Sequence, residues 1–380
     1  MTKVILAANT DWYLYNFRLS LAIFLREKGL DVVLVSPAGK YSPVFEEKGF
    51  RWVTWDVGRQ SMTPWKEIPA FGRLAQIYWR EQADLIHHHT IKSVLYGSLV
   101  ARALGQANVV NSITGRGYVF LGKGFKAGLL RNFVKTFYRL SLNHPNFAAI
   151  FENDADRQYF IEQKLIPIER TWLIPGVGVD PQRFVPSKEP TGPPVIFLVG
   201  RLLWDKGVGV LVQAARRLQQ RNRQARIVLV GEPDPGNPAS IDTTTLQGWV
   251  EEGIIEWWGW KPDMSKVYPQ CHIVAAPTMY GEGVPTVLLE AAACGRPLVT
   301  TNMPGCRDAV IDAYNGLLVP PDNPIALADA LDRLVSDKAL RGRMGAAGRQ
   351  LILEKFTTSH INSATLEVYY KVLNRINPQE

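Results

Sequence analysis

An α/β protein of two doubly wound, Rossmann-like domains facing a central cleft is what this sequence predicts, and three patterns carry the prediction. Short apolar runs alternate with helical patterns through the first half. A stretch with four prolines and little to bury, FVPSKEPTGPP (184–194), then interrupts. The same alternation restarts beyond it. Length agrees, since 380 residues exceed one ordinary domain and suit two with separate cores.

In order, VILAA (4–8) is a first strand, followed by a loop, NTDWYLYNFR, and a helix, LSLAIFLREKG, closed by Gly29. DVVLVSP (31–37) and FRWVTWDV (50–57) are strands. The helix IPAFGRLAQIYWREQ precedes the strand DLIHHH (84–89), and the helix SVLYGSLVARALG precedes NVVNSIT (108–114). FAAIFEN (147–153) and RTWLIPG (170–176) complete the half. Strands that are apolar throughout belong to parallel sheets covered on both faces. After the proline-rich linker come VIFLVG (195–200), a helix over 207–220, RIVLVG (226–231), IIEWWG (254–259), HIVAAP (272–277), PLVTT (297–301) and NGLLVP (315–320). A helix from about Ser359 to Ile376 follows. The domains expected are 1–186 and 187–358, with 359–380 packing back on the first.

Composition fits a globular chain, with 46% hydrophobic and 21% charged residues. No apolar run approaches the roughly 18–20 residues of a membrane span. MTKVILAANTDWYLYNF turns polar too early for a secretory signal. Three cysteines, Cys271, Cys294 and Cys306, lack metal-ligand spacing and read as reduced thiols of a cytoplasmic protein. The formal charge of +8 is uneven. Residues 1–188 hold 24 Lys and Arg against 15 Asp and Glu, or +9, and the rest hold 19 against 20, or −1. No acidic residue falls from Leu85 through Phe151. Neither half carries a strand–GxGxxG–helix fingerprint or a P-loop, and the glycines of GRGYVFLGKG (115–124) are spaced otherwise. A nicotinamide dehydrogenase is therefore disfavoured.

The densest chemistry lies in APTMYGEGVPTVLLEAAACGRPLVTTNMPGCRD (276–308). Glu282 and Glu290 stand eight apart, with Gly281 and Gly283 beside the first and Pro285 where a helix would begin. From Pro285 to Cys294 only Glu290 is polar beyond a hydroxyl, so a buried helix ending at Gly295 is expected. Eight helical residues turn about 80° past two full turns, so Glu290 does not repeat the position of Glu282. The geometry expected is Glu282 in the loop above the helix N-terminus and Glu290 about two turns in. Such a pair grips two hydroxyl-bearing parts of one elongated ligand, with the helix N-terminus facing an anion between them. Chance matches to this spacing are common. VLLEAAAC, however, has no polar face, and a carboxylate there needs a partner. VGRLLWDKG (199–207) adds a strand end, Gly200, Arg201, then Lys206 and Gly207 opening a helix. An Arg and a Lys so placed make a diphosphate clamp, two surface cations at a helix entry being the plain alternative.

VGRLLWDKG, GEGVPTVLLEAAACGRPLV, PGCRD and NGLLVPPDN resemble the donor-binding domain of the retaining GT-B glycosyltransferases of family 4. FENDADRQYF and LIPGVGVDPQRFVP resemble that family's segment before and at the linker. In the first half, YNFRLSLAIFLREKGLDVVLVSP, ADLIHHHTIKS, ITGRGYVF and KGFKAGLLRNFVKTFYRLS resemble a narrower group. That group extends polyprenyl-diphosphate-linked sugars in bacterial glycan assembly and includes α-1,3-N-acetylgalactosaminyltransferases. The resemblance covers nearly the whole chain and is more specific on the donor side. It implies that Arg201 and Lys206 neutralise a departing nucleotide diphosphate and that Glu282 contacts the donor sugar hydroxyls. Glu290 would hold the ribose hydroxyls, with Gly200, Gly283, Val284 and Thr286 completing the donor site. No cofactor is implied beyond a nucleotide-sugar substrate, expected to be UDP-linked. No metal is implied either: the sequence has no DxD-like pair at a strand end, and Arg, Lys and a helix N-terminus stand in for the cation. The reaction implied is same-face displacement, with the acceptor hydroxyl entering beside the departing diphosphate.

Two positions depart from the pattern. Thr114 stands where many relatives have a histidine before the glycine that is here Gly115, so that histidine's contribution does not transfer. Asp308 stands where relatives often have Glu. In HHHT, alternation puts His87 and His89 on one strand face and His88 on the other, and packing or hydrogen bonding is favoured over zinc. Arg18, Tyr15, Asn16, His87 and Thr114 are candidate acceptor contacts, with helix capping the plain alternative for Asn16. The basic aromatic region 118–142 reads as a surface for anionic lipid, with a nucleic-acid surface or a solvated basic domain edge as alternatives. The expectation is thus a retaining, metal-independent transferase at the cytoplasmic face of the membrane. It moves an N-acetylhexosamine or hexose from a UDP-sugar to a polyprenyl-diphosphate-linked saccharide, with no nucleic-acid partner. A UDP-sugar 2-epimerase-like GT-B enzyme and a basic nucleic-acid-binding protein are the rivals.

Overall fold

The computed structural model describes residues 1–58, 64–106, 108–115 and 134–374. The chain forms two compact units, Met1–Val177 with Thr358–Glu380, and Gly178–Thr357. In the first, a seven-stranded sheet has the order β3-β2-β1-β4-β5-β6-β7. These are β1 Lys3–Ala7, β2 Asp31–Ser36, β3 Arg51–Thr54, β4 Leu85–His89, β5 Val109–Ile113, β6 Phe147–Phe151 and β7 Thr171–Leu173. Every pairing is parallel. The winding direction reverses between β1 and β4, where Leu6 pairs with His87 and Ala7 with His88. Open α/β sheets bind ligands beyond the carboxyl ends of their strands at such a reversal.

Alternate residues of β1 serve opposite layers. Ile5 and Ala7 pack with Trp55, Leu74, Tyr78 and Phe160, while Val4 and Leu6 pack with Leu21, Leu25, Leu366 and Tyr369. Burial on both faces is the reason these strands are unbroken apolar runs. The helix Thr358–Leu373 supplies Ile361, Leu366, Val368, Tyr369 and Val372 to that second layer.

The stretch after β1, expected as a loop, is helical. Asp11–Tyr13 is one α-turn whose N-cap, Thr10, accepts from the Tyr13 amide at 3.2 Å. Leu14–Arg18 continues it as a π-helix into the α-helix Leu19–Glu27. Trp12 and Tyr13 each meet Phe17 edge to face at 5.2 Å, which gives this polar-looking stretch an apolar reason to fold. Asp11 accepts from the amides of Tyr41 at 2.7 Å and Ser42 at 3.2 Å, tying the turn to the start of the helix Ser42–Glu47.

In the second unit the order is β10-β9-β8-β11-β12-β13, again all parallel. The strands are β8 Val195–Val199, β9 Arg226–Val230, β10 Glu256–Trp257, β11 Ile273–Ala276, β12 Leu298–Thr301 and β13 Gly316–Val319. The reversal lies between β8 and β11. Ile196 and Leu198 face one core layer, and Val195 and Phe197 the other.

The division at Val177 and Gly178 precedes the 186/187 boundary expected from the prolines. Residues 178–190 are fastened to the second unit instead of spanning freely. Val179 and Phe184 are buried in its core. Arg349 donates to the carbonyls of Phe184 at 2.7 Å and Pro181 at 2.9 Å, and Arg341 makes a two-pronged pair with Glu189 at 2.7 and 2.9 Å. Proline removes amide donors but not carbonyl acceptors, and half-buried Arg349 fills two carbonyls of this stretch. Among the described residues no helix is long and apolar enough to cross a membrane.

Candidate active site

The second unit assembles its charged residues where β8 and β11 part. Gly200 leaves β8 at φ +135°, with open space beside its Cα, and Arg201 donates to Asp234 at 2.7 Å. Arg201 is half-exposed in this pair, and exposed pairs are worth of order 0–1 kcal/mol, so a stronger anion can displace Asp234. The chain then makes a 3₁₀ turn, Trp204–Lys206, and enters the helix Val208–Gln220 through Gly207. Gly207 has φ +75°, and a Cβ there would stand 1.9 Å from the Pro277 carbonyl oxygen. Only glycine lets the turn press this close to the end of β11. The contact delivers Lys206 to Glu282, with which it forms an ion pair, and to the ring of Tyr280 at 5.7 Å. Burial alone would lower the Lys206 ammonium, but Glu282 and Tyr280 outweigh it and hold the group above the usual lysine range.

Glu282 and Gly283 lie in a loop pressed against Gly305, whose Cβ would fall 2.1 Å from the Gly283 carbonyl. Val284 is buried. The helix Thr286–Ala293 follows, with Pro285 at its N-cap and no side-chain cap, so its first amides stay available to an anion. Glu290 lies in its second turn and accepts from the Tyr268 hydroxyl at 2.9 Å. Burial pushes the Glu290 carboxyl up to about 7, against the pull of Tyr268 and Arg183. The partner that the apolar setting of Glu290 demanded is thus a phenol. Asp308 caps its own short helix, accepting from the Gly305 amide at 2.9 Å.

The first unit gathers its polar residues beyond β1, β4 and β5. Arg18 is buried and donates to the Tyr13 hydroxyl at 3.2 Å, and Thr114 lies near that phenol. His87 is fully buried and hydrogen-bonded with Tyr369 at 2.6 Å and Ser112 at 2.8 Å. Both its nitrogens are spent inside the fold, which favours packing over an acceptor contact. His88 is held by Tyr78 at 2.9 Å and Asn111 at 2.8 Å, and burial lowers it to about 4. Tyr15 stacks on Tyr41 at 4.5 Å, and exposed Asn16 donates to the Trp12 carbonyl at 2.9 Å. Within 118–142, residues 118–133 lie outside the described residues. The rest includes a helix over 134–141 whose Val134 and Tyr138 join the core and whose Lys135 donates to Gln163 at 2.7 Å. Among the described residues no group of three or more His, Cys, Asp or Glu is placed to hold a metal.

Sequence reasoning missed Tyr268, Asp234, Tyr13 and His89. Tyr268 and Asp234 sit in no motif with the residues they serve. His89 carried a usable signal, because alternation had already put it on the face of His87.

Comparison with known proteins places both units. Residues 3–147 match the family described as "Glycosyl transferase 4-like" and residues 180–351 that described as "Glycosyl transferases group 1". The N,N'-diacetylbacillosaminyl-diphospho-undecaprenol alpha-1,3-N-acetylgalactosaminyltransferase of Campylobacter jejuni is 26% identical, over 96% of this chain and 97% of its own. The D-inositol 3-phosphate glycosyltransferase of Stackebrandtia nassauensis is 33% identical over 52% of this chain and 48% of its own. Among solved structures, Anabaena Alr3699/HepE in complex with UDP superposes with a TM-score of 0.78 at 19% identity, covering 98% of this chain and 100% of that one. WaaG, a glycosyltransferase involved in lipopolysaccharide biosynthesis, superposes with a TM-score of 0.73 at 17% identity, covering 96% and 99%. Two parallel-sheet units, matched in turn by these two families, make the chain a family 4 glycosyltransferase of the GT-B fold.

Proposed function

We propose that the protein is a retaining, metal-independent transferase that moves an N-acetylhexosamine or hexose from a UDP-sugar to a polyprenyl-diphosphate-linked saccharide. The observation that carries the donor side is the grouping of Lys206, Glu282 and Arg201 beside the uncapped helix Thr286–Ala293, with Glu290 one turn deeper. The UDP complex of the Anabaena protein and the lipid-linked sugar named for the Campylobacter enzyme support the choice of substrates.

On this reading the diphosphate enters between Lys206, Arg201 and the helix amides, and exchanges the two cations from Glu282 and Asp234. Glu282, so released, accepts from hydroxyls of the donor sugar, and Glu290 accepts from the ribose. The acceptor hydroxyl attacks the anomeric carbon on the face the diphosphate is leaving. Its proton passes to the departing phosphate oxygen as the C–O bond breaks. Negative charge grows on that oxygen in the transition state, so Lys206 and Arg201 act there most strongly. The protein works at the cytoplasmic membrane face, reached through the basic region 118–142.

The test is incubation with UDP-N-acetylhexosamines and UDP-hexoses, with and without a polyprenyl-diphosphate-linked sugar, with and without EDTA. Transfer with an unchanged anomeric configuration, insensitive to EDTA, is expected. Epimerised or hydrolysed donor without acceptor would favour the epimerase-like chemistry. Sedimentation with vesicles containing anionic lipid, lost at high salt, is the outcome expected for the membrane surface.

A further inference from the structure

We propose that the first unit carries an oxyanion site beyond β1, β4 and β5, built from Arg18, His89, Tyr13 and Thr114, which takes a phosphate group of the acceptor. The identity of the ligand rests on the proposed function; the existence of the site does not.

Two buried side chains in the first unit are left incomplete. Arg18 is 6% exposed, yet among the described residues it makes no ion pair, and its Nε has no hydrogen-bond partner. His89 is fully buried, and neither of its ring nitrogens has a partner. A buried guanidinium without a counter-charge and a buried imidazole without hydrogen bonds are both costly, and folds retain such groups where a ligand completes them. Neighbouring His87 and His88 have both nitrogens filled, so the vacancy is particular to His89.

The backbone marks the same place. Thr90, immediately after His89, holds φ +73°, an outlier for a β-branched residue. π-Helical turns, which concentrate at functional sites, stand on both sides at Leu14–Arg18 and Ser93–Gly97.

The chemistry selects an anion. Arg18 only donates, and the hydroxyls of Tyr13 and Thr114 can donate outward once a ligand arrives. Burial, His87 and then Arg18 hold His89 neutral, leaving one N–H to give. The carboxylate whose field reaches the cluster is Glu152, buried at the end of β6; it has interactions of its own and no ion pair with Arg18. A cation would meet Arg18 head on, and a neutral sugar would leave its charge unbalanced. A phosphate satisfies both the charge and the open donors.

The full-length protein, saturated with UDP so that the donor side is filled, is titrated with inorganic pyrophosphate, geranyl diphosphate and geraniol. Both diphosphates are expected to bind, geraniol is not, and ring ¹⁵N signals of His89 should move on binding. Arg18→Gln should weaken both diphosphates by about 30-fold or more without changing UDP affinity. Equal affinity for the two diphosphates identifies phosphate alone as the determinant, and a preference for geranyl diphosphate adds the lipid. Wild-type affinity in a folded Arg18→Gln, or tight geraniol binding, would overturn the site. Should that variant not fold, Tyr13→Phe and His89→Gln decide, and unchanged affinity in both overturns it. Loss of UDP binding with Arg18-dependent diphosphate binding intact would sink the donor reading and leave this site standing.

Discussion

A carboxyl group pressed among aliphatic side chains keeps its proton to higher pH than one in water, and Glu290 is held at about 7 in this way. If its carboxylate accepts ribose hydroxyls, UDP affinity falls as pH drops below about 7, and calorimetry should find that slope flattened in Glu290→Gln. Stability moves the opposite way. The folded-state value lies above the unfolded value of 4.5, so the folded chain holds the extra proton between them and stability from this group is lost as pH rises through about 7. Urea midpoints for Glu290→Gln should therefore exceed those of the wild type at pH 8 in the absence of nucleotide, and a lower midpoint would refute the burial argument. If Lys206 neutralises the departing diphosphate as proposed, Lys206→Ala should depress turnover by about 10²–10³ with a smaller effect on KM. These residues were legible because their chemistry is compressed into two short motifs. Their partners were not: Tyr268 reaches Glu290 across 22 positions and Asp234 reaches Arg201 across 33, with nothing in the local pattern to announce either contact.

At the scale of elements, the turn at Gly207 converts a backbone contact into the placement of a side chain. Gly207→Ala meets the Pro277 carbonyl and forces a left-handed alanine, which itself costs about 1–2 kcal/mol. Activity should fall with stability, and a variant as stable and active as the wild type would show that the contact does not set Lys206. In the first unit, Tyr369→Phe removes the phenol that His87 bonds at 2.6 Å and should cost about 1–3 kcal/mol in chemical unfolding. The strands were readable as apolar runs because burial on both faces leaves little room for polar residues. NTDWYLYNFR was misread as a loop because a three-residue α-turn feeding a π-helix has no 3.6-residue period to detect. The prolines of 184–194 suggested a free tether, since the arginines that fasten the chain just before and within that stretch come from residues 296, 341 and 349, far along the sequence.

For the molecule as a whole, two doubly wound sheets could be read from alternation alone, and a net charge of +9 through residue 188 against −1 beyond it separated a basic half from a near-neutral one. The first unit is built from two separated pieces of chain, in keeping with the expectation that 359–380 packs back on it. The helix Thr358–Leu373, which lines the same core layer as β1, is translated only after the whole of Gly178–Thr357. A ribosome thus releases the second unit complete while the first still lacks one wall, with Val4, Leu6 and Leu25 uncovered on that side. A fragment of residues 178–357 is expected to fold cooperatively and to bind UDP. A fragment ending at residue 357 should bind hydrophobic dye and aggregate, and equal solubility of that fragment and the full chain would disprove the dependence. Maturation of the basic half therefore waits on the completion of its neighbour, so nascent chains hold a finished second unit before they hold a finished first.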